Sequence, residues 1–308
     1  MTDNISWIED RVGGKGAALV IDGGMGTQLE KSGVPMDDKV WSARAILSHP
    51  EAVRQAHEDF ITAGAEVIIT NTISAARHML ESGGLGDQVK EINRNAVKLA
   101  QQSRDSVAKA PVAIAGSICE WTLRDNPNRY TPEAVGRSIR EQAEILAEAG
   151  VDLIALEMCQ QSAFSVAAAN AVMQVGLPFW IGLSAQTHKG CSSLSVFDHK
   201  QLDFESLVKA LAEYPAMMMN IMHSPVPDVN RAMEIVRRYW NSPVGVYPES
   251  GYFIMPNWQF VDVIEPDKLA KIAQTWIDNG ARMVGGCCGL GPEHIAALRQ
   301  ALNQVNQG

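Results

Sequence analysis

Near the C-terminus two cysteines stand side by side between glycines, Gly285-Gly286-Cys287-Cys288-Gly289. A thiolate is a soft ligand that binds zinc at about 2.3 Å, and a catalytic zinc site keeps three protein ligands and one open position. Neighbouring side chains on an extended strand point to opposite faces, so two adjacent sulfurs meet one ion only where a strand gives way to a turn. Flanking glycines permit that turn, because glycine reaches backbone conformations that other residues avoid. By itself the pair equally suits two small residues buried in a tight loop. Metal chemistry requires a third donor from elsewhere in the chain.

A framework must bring that donor to the pair. The 308 residues are 46% hydrophobic, enough for one large core, and α/β barrels routinely reach this size as a single domain. The net charge is −9 and no basic run occurs, which argues against nucleic acid or an anionic membrane as partner and in favour of small molecules. Five cysteines, an odd number, without an apolar N-terminal signal segment point to free thiols in a reducing, cytoplasmic compartment. No apolar run approaches the roughly 20 residues of a membrane-spanning helix. Tyr252, Trp258 and Phe260 suit either a homo-oligomer interface or a cover over the site.

Residues 1–17 are polar and glycine-punctuated and read as a lead-in, leaving 18–308 as one domain. From there short apolar runs at 18–21, 67–70, 112–115, 153–156, 179–183, 217–219, 244–248 and 283–286 alternate with helical patterns. The helices are expected at 50–63, 89–106, 132 onward, 163–175, 204–212, 229–240, 266–279 and 292–304. Thr131, Pro132 and Glu133 form a good helix start. This is the rhythm of an α/β protein of the (β/α)8 TIM-barrel kind, whose reacting residues sit at the carboxyl ends of the strands. By that rule the site draws on Asp22, Asn71, Cys119, Glu157, Ser184, Asn220, Tyr247 and the cysteine pair. The other fold with this alternation, an open doubly wound sheet, calls for a G-x-G-x-x-G phosphate loop that is absent here.

Several of these stretches, Asp22-Gly23-Gly24-Met25-Gly26-Thr27, Thr70-Asn71-Thr72, Gly150-Val151-Asp152 leading to Glu157, and Gly285 to Gly289 followed by Gly291-Pro292-Glu293-His294, give the chain its likeness. It resembles, from about residue 18 to 304, the homocysteine S-methyltransferase family, zinc-dependent enzymes related to betaine–homocysteine methyltransferase and to the homocysteine domain of cobalamin-dependent methionine synthase. The resemblance implies a (β/α)8 barrel that moves a methyl group from a sulfonium or quaternary ammonium donor to a thiol such as homocysteine, giving methionine. It implies zinc on Cys287 and Cys288, which turns the acceptor thiol into a thiolate. It also implies that Glu157 binds the acceptor's amino group, and that Asp22, Gly23 and Gly24 form the substrate-side first loop. Asp22 and Glu157 are the expected catalytic residues, with Asn71, Asn220 and Tyr247 as further substrate contacts.

Three departures from the family pattern accompany the likeness. Where the family carries Asn-Cys at the end of the sixth strand, this chain reads Asn220-Ile221-Met222-His223, and an alkyl side chain cannot hold a metal. His223 is the expected substitute ligand, with Cys119 and Cys159 as further strand-end candidates. After the third strand the chain continues Gly116-Ser117-Ile118-Cys119-Glu120-Trp121, and after the seventh the family's Pro-Asn-Ser-Gly becomes Pro248-Glu249-Ser250-Gly251. Glu120, Trp121 and Glu249 are expected either as an acidic, aromatic pocket for a cationic ligand or as solvated loop charges. Ile221 also supports a competing function, a diverged barrel without zinc chemistry that acts on another methylated small molecule. A third possibility pairs the chain with a separate cobalamin-binding methyl carrier.

Overall fold

The computed structural model describes residues 5–122, 130–191, 193–254 and 259–305. Eight parallel strands form one sheet: β1 (Leu19–Val20), β2 (Val67–Ile69), β3 (Ala113–Cys119), β4 (Leu153–Cys159), β5 (Phe179–Leu183), β6 (Met218–Pro225), β7 (Val244–Glu249) and β8 (Ala281–Val284). Their order is β1-β8-β7-β6-β5-β4-β3-β2. The two ends of this sheet meet, because Ile21 bridges Val67 in parallel, Glu66 N donates to Val20 O at 2.7 Å and Asp22 N donates to Val67 O at 3.1 Å. The sheet is therefore a TIM barrel.

Each strand leads to one barrel helix: α1 (Pro50–Ala63), α2 (Val89–Val107), α3 (Pro132–Ala149), α4 (Ser162–Met173), α5 (Phe204–Leu211), α6 (Val229–Arg237), α7 (Pro266–Asp278) and α8 (Pro292–Val305), with shorter helices at Met25–Lys31, Ala45–Ser48 and Arg77–Ser82 in the connections after β1 and β2. Local chemistry sets their limits. Helix α3 begins at Thr131, whose side chain accepts from Ala134 N at 3.3 Å, and it ends at Gly150 with φ 92°, a left-handed cap that glycine adopts without strain. Its face of Val135, Ile139, Ala143 and Leu146 is buried against the sheet.

Strand alternation divides the core into two layers. Leu19, Val67, Ala113, Leu153, Trp180, Met218 and Met283 fill the barrel interior. Val20, Ile68, Ile114, Ile154, Ile181, Met219 and Val284 face the helices. The interior layer is completed by a segment expected only as a lead-in. Residues Ser6–Val12 form a helix, and Ile5, Ile8 and Val12 are buried in the same cluster as Leu19 and Met283. The spacing of these three, three and then four residues apart, is that of one helical face. Arg11 fastens the helix by an ion pair to Glu66 at 3.0 Å, and Glu66 also pairs with Arg299 at 2.7 Å.

Two insertions surround the carboxyl ends of the strands. An antiparallel sheet of Ala185–Thr187, Leu194–Val196 and His199–Asp203 follows β5, and a hairpin of Tyr252–Ile254 with Gln259–Val261 follows β7. Phe260 of that hairpin lies over the cysteine loop: a Cβ on Gly289 would come within 2.7 Å of its ring. Tyr252 is 58% exposed, and Trp258 lies outside the described residues.

Candidate functional site

The first loop and the cysteine loop are locked face to face. Gly286 N donates to Asp22 O at 3.0 Å, Gly24 N to Leu290 O at 2.9 Å and Cys287 N to Pro248 O at 2.8 Å. Gly23 and Gly24 make this approach possible. A Cβ on Gly23 would stand 2.2 Å from Leu290 O, and one on Gly24 would stand 2.6 Å from Cys287 O, both far inside contact distance. Gly289, with φ 84°, makes the turn that follows the pair.

A third side chain that could hold a metal reaches the pair by a break in strand alternation. On β6, Met218 and Met222 fill the barrel interior, whereas Met219 and Ile221 pack outward with the helix-facing core. Ile221 is thus a core residue, fully buried on the side away from the cysteines. His223 has φ 43°, a left-handed conformation uncommon outside glycine, and its ring turns toward the pair. Its Nδ1 lies 3.4 Å from Cys287 Sγ. Ligand atoms of His223, Cys287 and Cys288 all lie within 4.8 Å of one another, the one group of this kind found among the described residues. Cys119 and Cys159, the other candidates, are buried outside it.

Two thiolates and an imidazole match a zinc donor set with an open position. The Cys287 thiol is pushed well above its ordinary value, first by its hydrogen bond to Cys288, then by burial and by the charge on that second sulfur. A cation shared by both sulfurs reverses that preference. Around His223, Phe197 packs edge-on with ring centroids 4.6 Å apart, and Glu249 Oε2 lies 3.4 Å from Nε2. Burial works to lower the His223 pKa, but the Cys287 sulfur and the carboxylates of Glu249 and Asp198 outweigh it and push the pKa up to about 9.

Asp22 and Glu157 are both buried at the same end of the barrel. Asp22 Oδ2 accepts from Ile69 N at 2.7 Å, while Oδ1 has no hydrogen-bond partner among the described residues. Glu157 accepts from Ser117 Oγ. Burial raises the pKa of each: Asp22 rises well above its usual range, helped by the nearby charge of Glu157, and Glu157 is pushed up to about 7. Tyr247 faces Glu157 without completing a well-formed hydrogen bond. Asn220 is fully buried, neither side-chain atom has a partner among the described residues, and a Cβ on Gly245 would stand 2.3 Å from its Oδ1. Asn71 is engaged elsewhere, accepting from Ser42 Oγ at 2.6 Å and donating to Ser42 O at 2.9 Å. Ser184 donates to Met222 Sδ at 3.2 Å.

The expected pocket of Glu120, Trp121 and Glu249 is corrected by these contacts. Glu120 is buried and accepts from Gln160 N at 2.8 Å, Gln161 N at 3.1 Å and Ser165 Oγ at 2.7 Å. It therefore serves the start of α4, where a carboxylate meets the positive end of the helix. Glu249 instead faces His223. Neither is a solvated loop charge. Two contributors were not anticipated. Ser117 is one: β3 places it on the interior side with Ala113 and Ala115, two residues beyond Ala115, so alternation along a longer strand would have found it. Phe197, in the insertion after β5, carries no comparable signal.

Comparisons with known proteins agree with this geometry. A family model described as homocysteine S-methyltransferase matches residues 19–302. Homocysteine S-methyltransferase 3 of Zea mays is 26% identical, over 97% of this chain and 93% of its own length. Homocysteine S-methyltransferase YbgG of Bacillus subtilis is also 26% identical, over 91% and 93%. The metallated form of the homocysteine methyltransferase MmuM from Escherichia coli superposes with a TM-score of 0.76 at 25% identity, covering 97% of this chain and 99% of that one. With the barrel, the paired cysteines and the match across nearly its whole length, this chain belongs to the homocysteine S-methyltransferase family.

Proposed function

We propose that this chain methylates the thiol of homocysteine, giving methionine, from a sulfonium or quaternary ammonium donor, with zinc held by His223, Cys287 and Cys288. The observation that carries this reading is the convergence of those three donors within 4.8 Å at the end of the barrel where Asp22 and Glu157 are buried. Zinc bound there keeps a coordinated thiol deprotonated at neutral pH. The acceptor thiol gives up its proton to solvent, and its sulfur forms the new bond to the methyl carbon as the donor's carbon–sulfur or carbon–nitrogen bond breaks, the donor departing as a neutral thioether or tertiary amine.

The chain's own residues bind and orient the acceptor. Asp22 and Glu157 are buried carboxylates, burial raises the cost of ionising each, and the charge of Glu157 adds to it at Asp22; an ammonium group beside them relieves that cost. Asn220, with its amide unpaired, and Tyr247 offer further polar contacts inside the barrel. Holding sulfur and methyl carbon about 3 to 3.5 Å apart would supply much of the rate. Five free cysteines support a cytoplasmic location. No described helix is long and apolar enough to cross a membrane.

The competing reading, a barrel without zinc chemistry, rested on Ile221. His223 weakens that support, because it offers a donor atom beside the pair from two residues further along the strand. The test is elemental analysis of purified protein. The wild type should carry about one zinc per chain, and His223→Ala should lose it. Ile221→Cys should not restore zinc to His223→Ala, since residue 221 points into the helix-facing core. Wild-type protein that methylates homocysteine while free of zinc would end this reading.

A further inference from the structure

The His223 ring is gripped at both nitrogens. Nδ1 lies 3.4 Å from Cys287 Sγ and Nε2 lies 3.4 Å from Glu249 Oε2. Both His223 and Glu249 have nearly buried side chains, 11% and 13% exposed. Among the described residues this is the one ion pair of Glu249. A carboxylate only accepts hydrogen bonds, so the ring nitrogen facing it carries the proton. In the neutral ring, the form that can hold a metal, the lone pair is then left on Nδ1, on the side of the two sulfurs. The backbone at His223 adds to the demand, since φ 43° is a conformation that persists only where its surroundings enforce it. Phe197, packed edge-on at 4.6 Å, limits tilt of the ring but cannot choose between its nitrogens.

We propose that Glu249 is the positioning residue of the metal centre: through Nε2 it fixes the His223 ring so that Nδ1 is the atom offered to zinc beside Cys287 and Cys288. This rests on the assignment of His223 as a ligand made above. Glu249 lies against the imidazole and acts through it, as a carboxylate behind a metal-bound histidine does in general.

The experiment measures zinc affinity of the full chain by chelator competition and, in parallel, the visible spectrum after cobalt(II) substitution. Glu249→Gln and Glu249→Ala should each weaken zinc binding about 10- to 100-fold, the alanine more, and should alter the cobalt spectrum. In a His223→Cys background, where the third ligand is a thiolate with no second nitrogen to hold, Glu249→Ala should no longer weaken binding. The isosteric glutamine variant keeps the test open should the alanine variant not fold. If both Glu249 variants bind zinc as tightly as wild type while His223→Ala loses it, this inference is overturned and the ligand assignment stands. If Glu249→Ala weakens binding equally in the His223→Cys background, Glu249 acts on the charge of the whole site and the inference also fails. Wild-type zinc affinity in His223→Ala would remove the ligand assignment itself, and with it the role of Glu249.

Discussion

At its amino end the barrel is closed by Ile5, Ile8 and Val12, which pack on Leu19, Met218 and Met283. At its carboxyl end Asp22, Glu157, Asn220 and His223 are about as well buried, yet carboxylate and amide atoms there lack partners and two residues bordering the site, Met158 and His223, have positive φ. One end thus gains free energy from burial, and the other spends some of it. Polar groups buried without partners are costly, and strained backbone of this sort gathers at functional sites. The contrast teaches that burial alone does not separate core from site in this molecule. What separates them is whether each buried group is satisfied by the protein itself.

Substitutions at the two ends should therefore fail differently. The largest effect is expected from Ile8→Ala, a truncation in the closed end, which should lower unfolding free energy by about 2 to 5 kcal/mol. Denaturant melts would show this, while zinc content and the acceptor KM measured well below the melting temperature stay as in wild type. Any loss of zinc in this variant would break the separation between the two ends.

Glu157→Gln comes next. It should weaken acceptor binding by about 1.5 to 3 kcal/mol through loss of a charge-assisted contact, read as a raised KM with homocysteine. It should also change the pH dependence of stability. Glu157 has its pKa raised from 4.5 to about 7 in the fold, so between those values the folded state holds a proton that the unfolded state has released. Its contribution to stability is present below pH 4.5 and is lost as pH rises through 7. The wild type should therefore lose stability over that window relative to Glu157→Gln, and parallel curves would contradict the assigned burial of the charge.

Gly24→Ala should cost about 1 to 3 kcal/mol by overpacking, because its Cβ would meet Cys287 O at 2.6 Å and Thr27 Oγ1 at 2.4 Å. Unlike Ile8→Ala, it should also weaken zinc retention, since the strain falls on the cysteine loop. The smallest effect is expected at Glu120→Gln, about 1 kcal/mol from a weaker interaction with the start of α4. Its KM for donor and acceptor should match wild type, whereas a raised donor KM would return Glu120 to the ligand pocket.

Most of the barrel was legible along the chain because its signals are local. Proline at the start of α1, the Thr131 cap, the glycines at 64 and 150 and the apolar runs of each strand act within a few residues of themselves. Strand ends were less legible: β3, β4 and β6 run on to Cys119, Cys159 and Pro225, since neighbouring strands extend the hydrogen-bonding ladder past the apolar stretch. The helix Ser6–Val12 was hidden by Ser6, Glu9, Asp10 and Arg11, which interrupt Ile5, Ile8 and Val12, because only the open end of the barrel gives that short apolar stripe something to cover.

The sequence by itself determined the fold, the positions of Asp22, Glu157 and the cysteine pair at strand ends, and the absence of a cysteine at residue 221. Only the tertiary structure showed which side chain lies beside the cysteine pair instead. Simple alternation would send residue 223 outward with 221, and a left-handed φ at one histidine turns it inward instead. Nor could the sequence separate Glu120 from Glu249, two glutamates that each follow a strand's apolar run. One lies within reach of a helix start and the other within reach of an imidazole, a distinction set by which elements the barrel brings together across 40 to 45 residues in one case and 26 in the other.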